Sequence, residues 1–203
     1  MHHRHKFWQN VLEGVKIVLV FAGIFIITFL TINFPAYWSK ARYLLAKHPA
    51  NIITTNSMLD NMARDDNHLF IPKLALVAPI SWNIVENEID KPLEKGLAHY
   101  AGTALPGQIG NVFVFGHSSN YWWNKGLYKE IFANLDQVQV GDKIYISYQN
   151  KVYTYVINNK KVIYPNDISV LAQTPTKTLT LMTCVPVGTS LKRLVVTANQ
   201  VEN

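Results

Sequence analysis

The stretch Thr178-Leu-Thr-Leu-Met-Thr-Cys-Val-Pro-Val-Gly-Thr-Ser-Leu-Lys-Arg-Leu-Val-Val196 decides how the chain is read, because it holds the sole cysteine, Cys184, at the end of an alternating run. Residues two apart on a strand share a face. Thr178, Thr180, Met182 and Cys184 therefore fall on one side, and Leu179, Leu181 and Thr183 on the other. The leucines can enter a core while the sulfur looks out of it. After a loop with Pro186 and Gly188, a second alternating run puts Arg193 opposite Leu194 and Val196. Two neighbouring strands can thus hold a thiol and a guanidinium on one surface. A free cysteine is more often a small buried hydrophobe than a nucleophile, so the thiol alone decides nothing.

At 203 residues the chain has room for one domain and an appendage, and its composition, 49% hydrophobic and 16% charged, is that of a folded protein. The formal charge of +6 lies almost wholly at one end. Residues 1–59 carry Arg4, Lys6, Lys16, Lys40, Arg42 and Lys47 against Glu13, leaving 13 basic and 12 acidic residues for the remainder. The folded part is nearly neutral, which argues against nucleic acid as a partner.

Between those charges runs Ile17 to Phe34, without an ionisable residue. As a helix it spans about 27 Å, close to a bilayer's hydrocarbon core. Lys16 can snorkel at one end, and Tyr37 and Trp38 suit the opposite interface. A cleaved signal peptide is the rival reading, but the run exceeds a usual h-region and Phe34-Pro35-Ala36-Tyr37 is a poor cleavage site. The expected organisation is a basic N-terminus (1–16) in the cytoplasm, a single-pass anchor (17–34) in the cell membrane, a juxtamembrane helix and linker (35–67, helix over 36–47), and an exported domain (68–203).

From His68 onward the signals are short strands separated by Gly, Pro and Asn. Strands are expected near 68–72, 74–78, 111–116, 143–149, 151–158, 160–164, 178–184 and 192–199, with a tight turn at Gln149-Asn150-Lys151. Gly126 to Leu135 is the one helical pattern, with Leu127, Ile131, Phe132 and Leu135 at helical spacing. Many short strands and little helix predict a mainly β fold, a closed or nearly closed antiparallel barrel.

A useful thiol needs a base or cation nearby, since free cysteine titrates near about 8.5. His117 follows the apolar run Asn111-Val-Phe-Val-Phe-Gly116, so its imidazole emerges at the end of a buried strand. His99 competes, in the Gly/Pro-rich segment Gly96 to Gly107. A structural role is the commoner fate of any one histidine. Tyr121-Trp122-Trp123-Asn124-Lys125 is an aromatic loop suited to shaping a groove or simply to packing. Glu86, Glu88, Asp90 and Glu94 read as a solvated face, and no cluster has metal-ligand spacing. No cofactor is implied.

Together these pieces resemble the sortase family. Thr180-Leu-Met-Thr-Cys184 is similar to the family's Thr-Leu-x-Thr-Cys signature, and Arg193 stands where the family places an essential arginine. Gly116-His117 is similar to the segment carrying its histidine, and the resemblance runs from about 68 to 199. It implies an eight-stranded barrel with one or two short helices. It also implies a cell-surface cysteine transpeptidase that cuts a Leu-Pro-x-Thr-Gly-like sorting signal and passes the acyl half to an amine, from a cell-wall precursor or a pilin lysine. On that reading Cys184 is the nucleophile, His117 the general acid and base, and Arg193 the oxyanion or backbone partner. Thr180, Thr183 and His99 are substrate-binding candidates. Partners are exported proteins with a C-terminal signal, the amine acceptor, and the membrane through 17–34. A hydrolytic cysteine peptidase and a tethered binding module with an inert Cys184 remain the alternatives.

Overall fold

The computed structural model describes residues 2–45, 58–59, 65–119, 126 and 128–202. The chain divides into two compact units, residues 1–34 and 35–203. The first is the greater part of a helix, α1 (His2–Leu45), in which Val11–Phe34 is long and apolar enough to cross a membrane. The expected juxtamembrane helix is the continuation of α1 as far as Leu45. Most of the expected linker, and the aromatic segment Tyr121–Lys125, lie outside the described residues.

The second unit is a closed eight-stranded barrel. Its strands are β1 (His68–Ile71), β2 (Leu76–Ile84), β3 (Leu97–Tyr100), β4 (Gly110–Phe115), β5 (Lys143–Tyr148), β6 (Lys151–Ile163), β7 (Lys177–Val185) and β8 (Lys192–Val201). Their order around the wall is β1-β2-β3-β4-β7-β8-β6-β5, and β5 pairs with β1 to close the circle. Two-residue alternation fills the interior. Leu69 and Ile71, Val112 and Val114, Leu179 and Leu181, and Leu194, Val196 and Ala198 meet there with Tyr155 and Ile157. Between β5 and β6, Gln149 and Asn150 both take left-handed φ, 52° and 59°, which gives the expected tight hairpin.

The wall is mixed, not purely antiparallel: β2–β3 and β4–β7 are parallel. Parallel neighbours need a crossover, and a short helix, α2 (Asp90–Lys95), lies within the connection from β2 to β3. Strand β6 is one element where two were expected, with an irregular register between Ile157 and Asn159. The helical pattern at 126–135 does not produce an α-helix at its described positions. Residues 129–134 form turns that lead into a 3₁₀ turn at Leu135–Gln137, and Phe132 and Leu135 are buried there all the same.

Candidate active site

Cys184 is the penultimate residue of β7, and it is half-buried and unpaired with another thiol. Directly opposite it in the antiparallel β7–β8 ladder stands Arg193. Directly opposed side chains lie on the same face, with Cβ atoms about 5 Å apart. Met182 pairs with Val195 on that same outer face, while Leu181 and Val196 pair inward. The alternation expected from the sequence therefore holds on both strands. Arg193 Nη1 donates to the carbonyls of Ser190 at 2.9 Å and Lys192 at 3.2 Å. Its other guanidinium nitrogens make no hydrogen bond among the described residues.

His117 arrives from the opposite side of β7. Strand β4 runs parallel to β7, with Phe115 beside Met182. The pairing continues one step past the strand: the Gly116 N–H donates to the Met182 carbonyl at 3.2 Å, and Thr183 Oγ1 donates to the Gly116 carbonyl at 2.8 Å. The next step along each chain reaches His117 and Cys184. Gly116 is required by space, since a Cβ there would stand 2.5 Å from Leu97 Cδ2 and 3.0 Å from Phe132 Cδ2. The Phe132 N–H closes back onto the His117 carbonyl at 2.9 Å. Downstream, Ser119 Oγ accepts from the Gly188 N–H at 2.9 Å, tying the histidine segment to the β7–β8 turn. Burial holds the His117 imidazole below its ordinary value, and the Asp90 carboxylate opposes this in part.

A groove of about 370 Å³ leads to Arg193. Phe113, Phe115 and Met182 form its floor, Tyr100 and Ile89 flank it, and Ile168, Val170 and Leu171 line it from the β6–β7 connection. These residues were not singled out from the sequence. The signal for them was the other face of β4: while Val112 and Val114 point inward, Phe113 and Phe115 put large rings outside, where something must cover them. At the edge of the groove, Asp167 accepts from the Ser169 N–H at 3.1 Å and from its hydroxyl at 2.5 Å, which lowers its pKa. A second cavity, about 330 Å³, is lined by Ser118, Phe132, Val185, Val187 and Leu194, so it adjoins the histidine and cysteine segments.

Cys184, Arg193 and His117 thus come together at one end of three adjacent strands. The remaining sequence candidates sit deeper. Thr183 and Thr180 are 3% exposed, and their hydroxyls are engaged by Gly116 and by Asn111 Oδ1, the latter at 2.7 Å. His99 is 0% exposed. Its Nδ1 accepts from the Asn83 N–H at 3.2 Å, and its Nε2 lies 2.9 Å from both the Ala104 carbonyl and Thr103 Oγ1. The structure does not bring these three side chains to the groove surface. It gives them positioning contacts behind it.

The sortase domain family matches residues 69–201, the whole barrel apart from its first residue. The chain belongs to the sortase family. It is 30% identical over 140 residues to Sortase A of Streptococcus agalactiae, covering 65% of this chain and 53% of that protein. It is 31% identical over 149 residues to Sortase SrtE1 of Streptomyces coelicolor, covering 66% and 40% respectively. The chain spans about half the length of these curated relatives. Among solved structures, a Clostridium perfringens Sortase D5 transpeptidase superposes with a TM-score of 0.56 at 31% identity, covering 66% of this chain and 78% of that one. Sortase A from Corynebacterium diphtheriae gives 0.57 at 33% identity, covering 67% and 60%. The similarity is spread over sortases named A, C, D and SrtE1. The sortase barrel is therefore the frame in which the thiol, imidazole and guanidinium are to be understood, and the enzymes of this family are cysteine transpeptidases.

Proposed function

We propose that this sortase is a membrane-anchored cysteine transpeptidase that joins exported proteins to an amine at the cell surface. The observation that carries the reading is the ladder pairing of Cys184 with Arg193, with His117 at the matching position beyond β4. In the proposed reaction the Cys184 proton passes to His117, and the thiolate attacks the threonine carbonyl of a Leu-Pro-x-Thr-Gly-like signal. Arg193, a planar cation with several N–H donors, faces the oxyanion that forms. The imidazolium then returns the proton to the departing glycine amine as the C–N bond breaks, leaving an acyl thioester on Cys184. An incoming amine attacks the thioester, His117 takes its proton, and the new amide leaves with the thiolate restored. Burial favours the neutral imidazole, the form that can take up a proton in the first step.

The apolar groove suits an extended peptide with one large aliphatic side chain. The N-terminal helix offers an anchor, with the short basic tail inside and the barrel outside, where substrate and acceptor meet the enzyme at raised effective concentration. The test is intact-mass spectrometry of the full chain in detergent micelles, incubated with a Leu-Pro-x-Thr-Gly peptide with and without triglycine. The expected result is an acyl adduct on Cys184 that triglycine discharges as a ligated product. Hydrolysis alone, indifferent to the amine, points to a peptidase. No adduct on the wild type leaves a binding module with an inert thiol.

A further inference from the structure

Residues 164–176, which join β6 to β7, contain no buried residue, so burial of apolar surface does little to hold them in place. Yet Ile168, Val170 and Leu171 of this loop form a wall of the groove. Its internal polar contacts are local, such as Thr174 Oγ1 to the Thr176 carbonyl at 2.7 Å. Its end is tied to β7 by Thr174 Oγ1 to Thr178 Oγ1 at 3.0 Å and to β4 by the Gly110 N–H to the Thr176 carbonyl at 3.2 Å, and Lys192 lies over Tyr164 at its start. Among the described residues, the middle of the loop is linked to the groove floor through one residue of β4. Asn111, on β4 and 2% exposed, donates from Nδ2 to the Val170 carbonyl at 2.7 Å. Its backbone N–H donates to Gln173 Oε1 at 3.0 Å. Its Oδ1 accepts from Thr180 Oγ1 on β7 at 2.7 Å, and its carbonyl accepts from the Ala104 N–H at 3.1 Å.

The neighbouring residue reinforces the arrangement. Gly110 has φ +130°, and a Cβ there would stand 2.4 Å from Gln173 Oε1, so the loop's carboxamide is seated against bare backbone. Two strands of the floor and two residues of the loop, Val170 and Gln173, therefore converge on one buried asparagine. Since Val170 both lines the groove and accepts from that amide, this bond ties the wall to the strand that carries Phe113.

We propose that Asn111 is a positioning residue that sets the width of the groove and, through it, the selection of the aliphatic side chain of the sorting signal. This rests on the reading that the groove receives that peptide. Asn111→Asp is the sharp variant, because it keeps the acceptor for Thr180 while replacing the donor to Val170 with an oxygen. Gln173→Ala removes a loop-side contact at an exposed position and serves where the buried substitution disturbs folding. Amide hydrogen exchange on the full chain in micelles is expected to speed up about tenfold within 164–176 in Asn111→Asp, with β4 and β7 unchanged. KM for the pentapeptide is expected to rise about tenfold while kcat stays within about twofold, and preference for leucine over valine or phenylalanine at the first peptide position falls. Gln173→Ala moves each quantity the same way by less, and iodoacetamide alkylates Cys184 at the wild-type rate in both. Unchanged loop exchange, or a fall in kcat at constant KM, overturns the proposal. A wild type that cleaves no peptide overturns the proposed function instead, since exchange reads the loop without substrate.

Discussion

His99 and His117 leave neighbouring strands, β3 and β4, and burial holds both imidazoles below their ordinary range. Their surroundings differ in kind. His99 points into the barrel, packs at 5.1 Å against Trp82 with the rings tilted by 51°, and spends both ring nitrogens on fixed partners. Asn83 N–H needs Nδ1 as an acceptor and Ala104 carbonyl needs Nε2 as a donor, so one neutral tautomer is locked. His117 stands half-exposed past the end of β4, beside the segment that carries the thiol. The same depressed basicity therefore has two uses. It is a by-product of stability in one histidine and, in the proposed reaction, a working property in the other, and what separates them is whether a proton can come and go.

Exchanging the two roles by mutation tests that distinction most strongly. His117→Ala is expected to lower kcat/KM by about 10²–10⁴ with little change in thermal stability, since a partly exposed ring is removed. Arg193→Lys comes next, at about 10²–10³, because an ammonium offers a point charge where, in the proposed reaction, a planar fork meets the oxyanion; peptide cleavage rates at fixed enzyme concentration check both. His99→Leu is expected to do the reverse. It strands the Asn83 N–H and the Ala104 carbonyl, costs about 2–4 kcal/mol of unfolding free energy in denaturant titration, and leaves turnover per folded molecule within a few-fold. A His99→Leu protein that is stable but inactive would break the comparison.

Acid provides a gentler probe. Both histidines have folded-state pKa values below the unfolded value of about 6.5, so between the two values the unfolded chain binds more protons than the native one. Stability therefore rises with pH in that window, and is lost as pH falls below about 6.5. Thermal unfolding between about pH 5 and 7 is expected to show this slope in the wild type and a flatter one in His99→Leu. His117→Ala is expected to flatten it less.

What was legible in the sequence follows the same division between local pattern and distant contact. The Cys184 and Arg193 faces could be read because two-residue alternation along β7 and β8 is local, and because the residues around Cys184 and His117 form a recognisable signature. The structure bears out the closed barrel and the Gln149–Asn150 turn. Strand β3 was missed because its four residues lie in a Gly/Pro-rich segment and pair through long-range partners. Strand β6 was divided because Asn158, Asn159 and Lys160 break the apolar pattern at an irregularity in the ladder. At 129–134 the helical spacing of large side chains was real, but turns satisfied it, burying Phe132 against the site where Gly116 admits only bare backbone. Asn111 could not have been chosen from sequence. An asparagine at the start of a strand says nothing of a loop some sixty residues away until β4 and β7 are known to lie side by side.

The smallest effect worth measuring concerns what keeps His117 half-covered. The segment whose Phe132 N–H binds the His117 carbonyl ends in the 3₁₀ turn at Leu135–Gln137. Lys160 Nζ holds that turn from β6, donating to the carbonyls of Asp136 at 2.7 Å and Val138 at 2.8 Å. Lys160 is exposed, so Lys160→Ala is expected to cost only about 1 kcal/mol. Its informative consequence lies elsewhere. A looser segment admits water to His117, weakening the desolvation that depresses its pKa, so the acidic limb of kcat/KM should move upward by a fraction of a pH unit. His99, bonded to β2 and the β3–β4 turn and not to this segment, should keep its contribution to the stability slope unchanged. If Lys160→Ala shifts the stability slope and leaves the activity profile in place, then desolvation by the 129–137 segment is not what tunes His117.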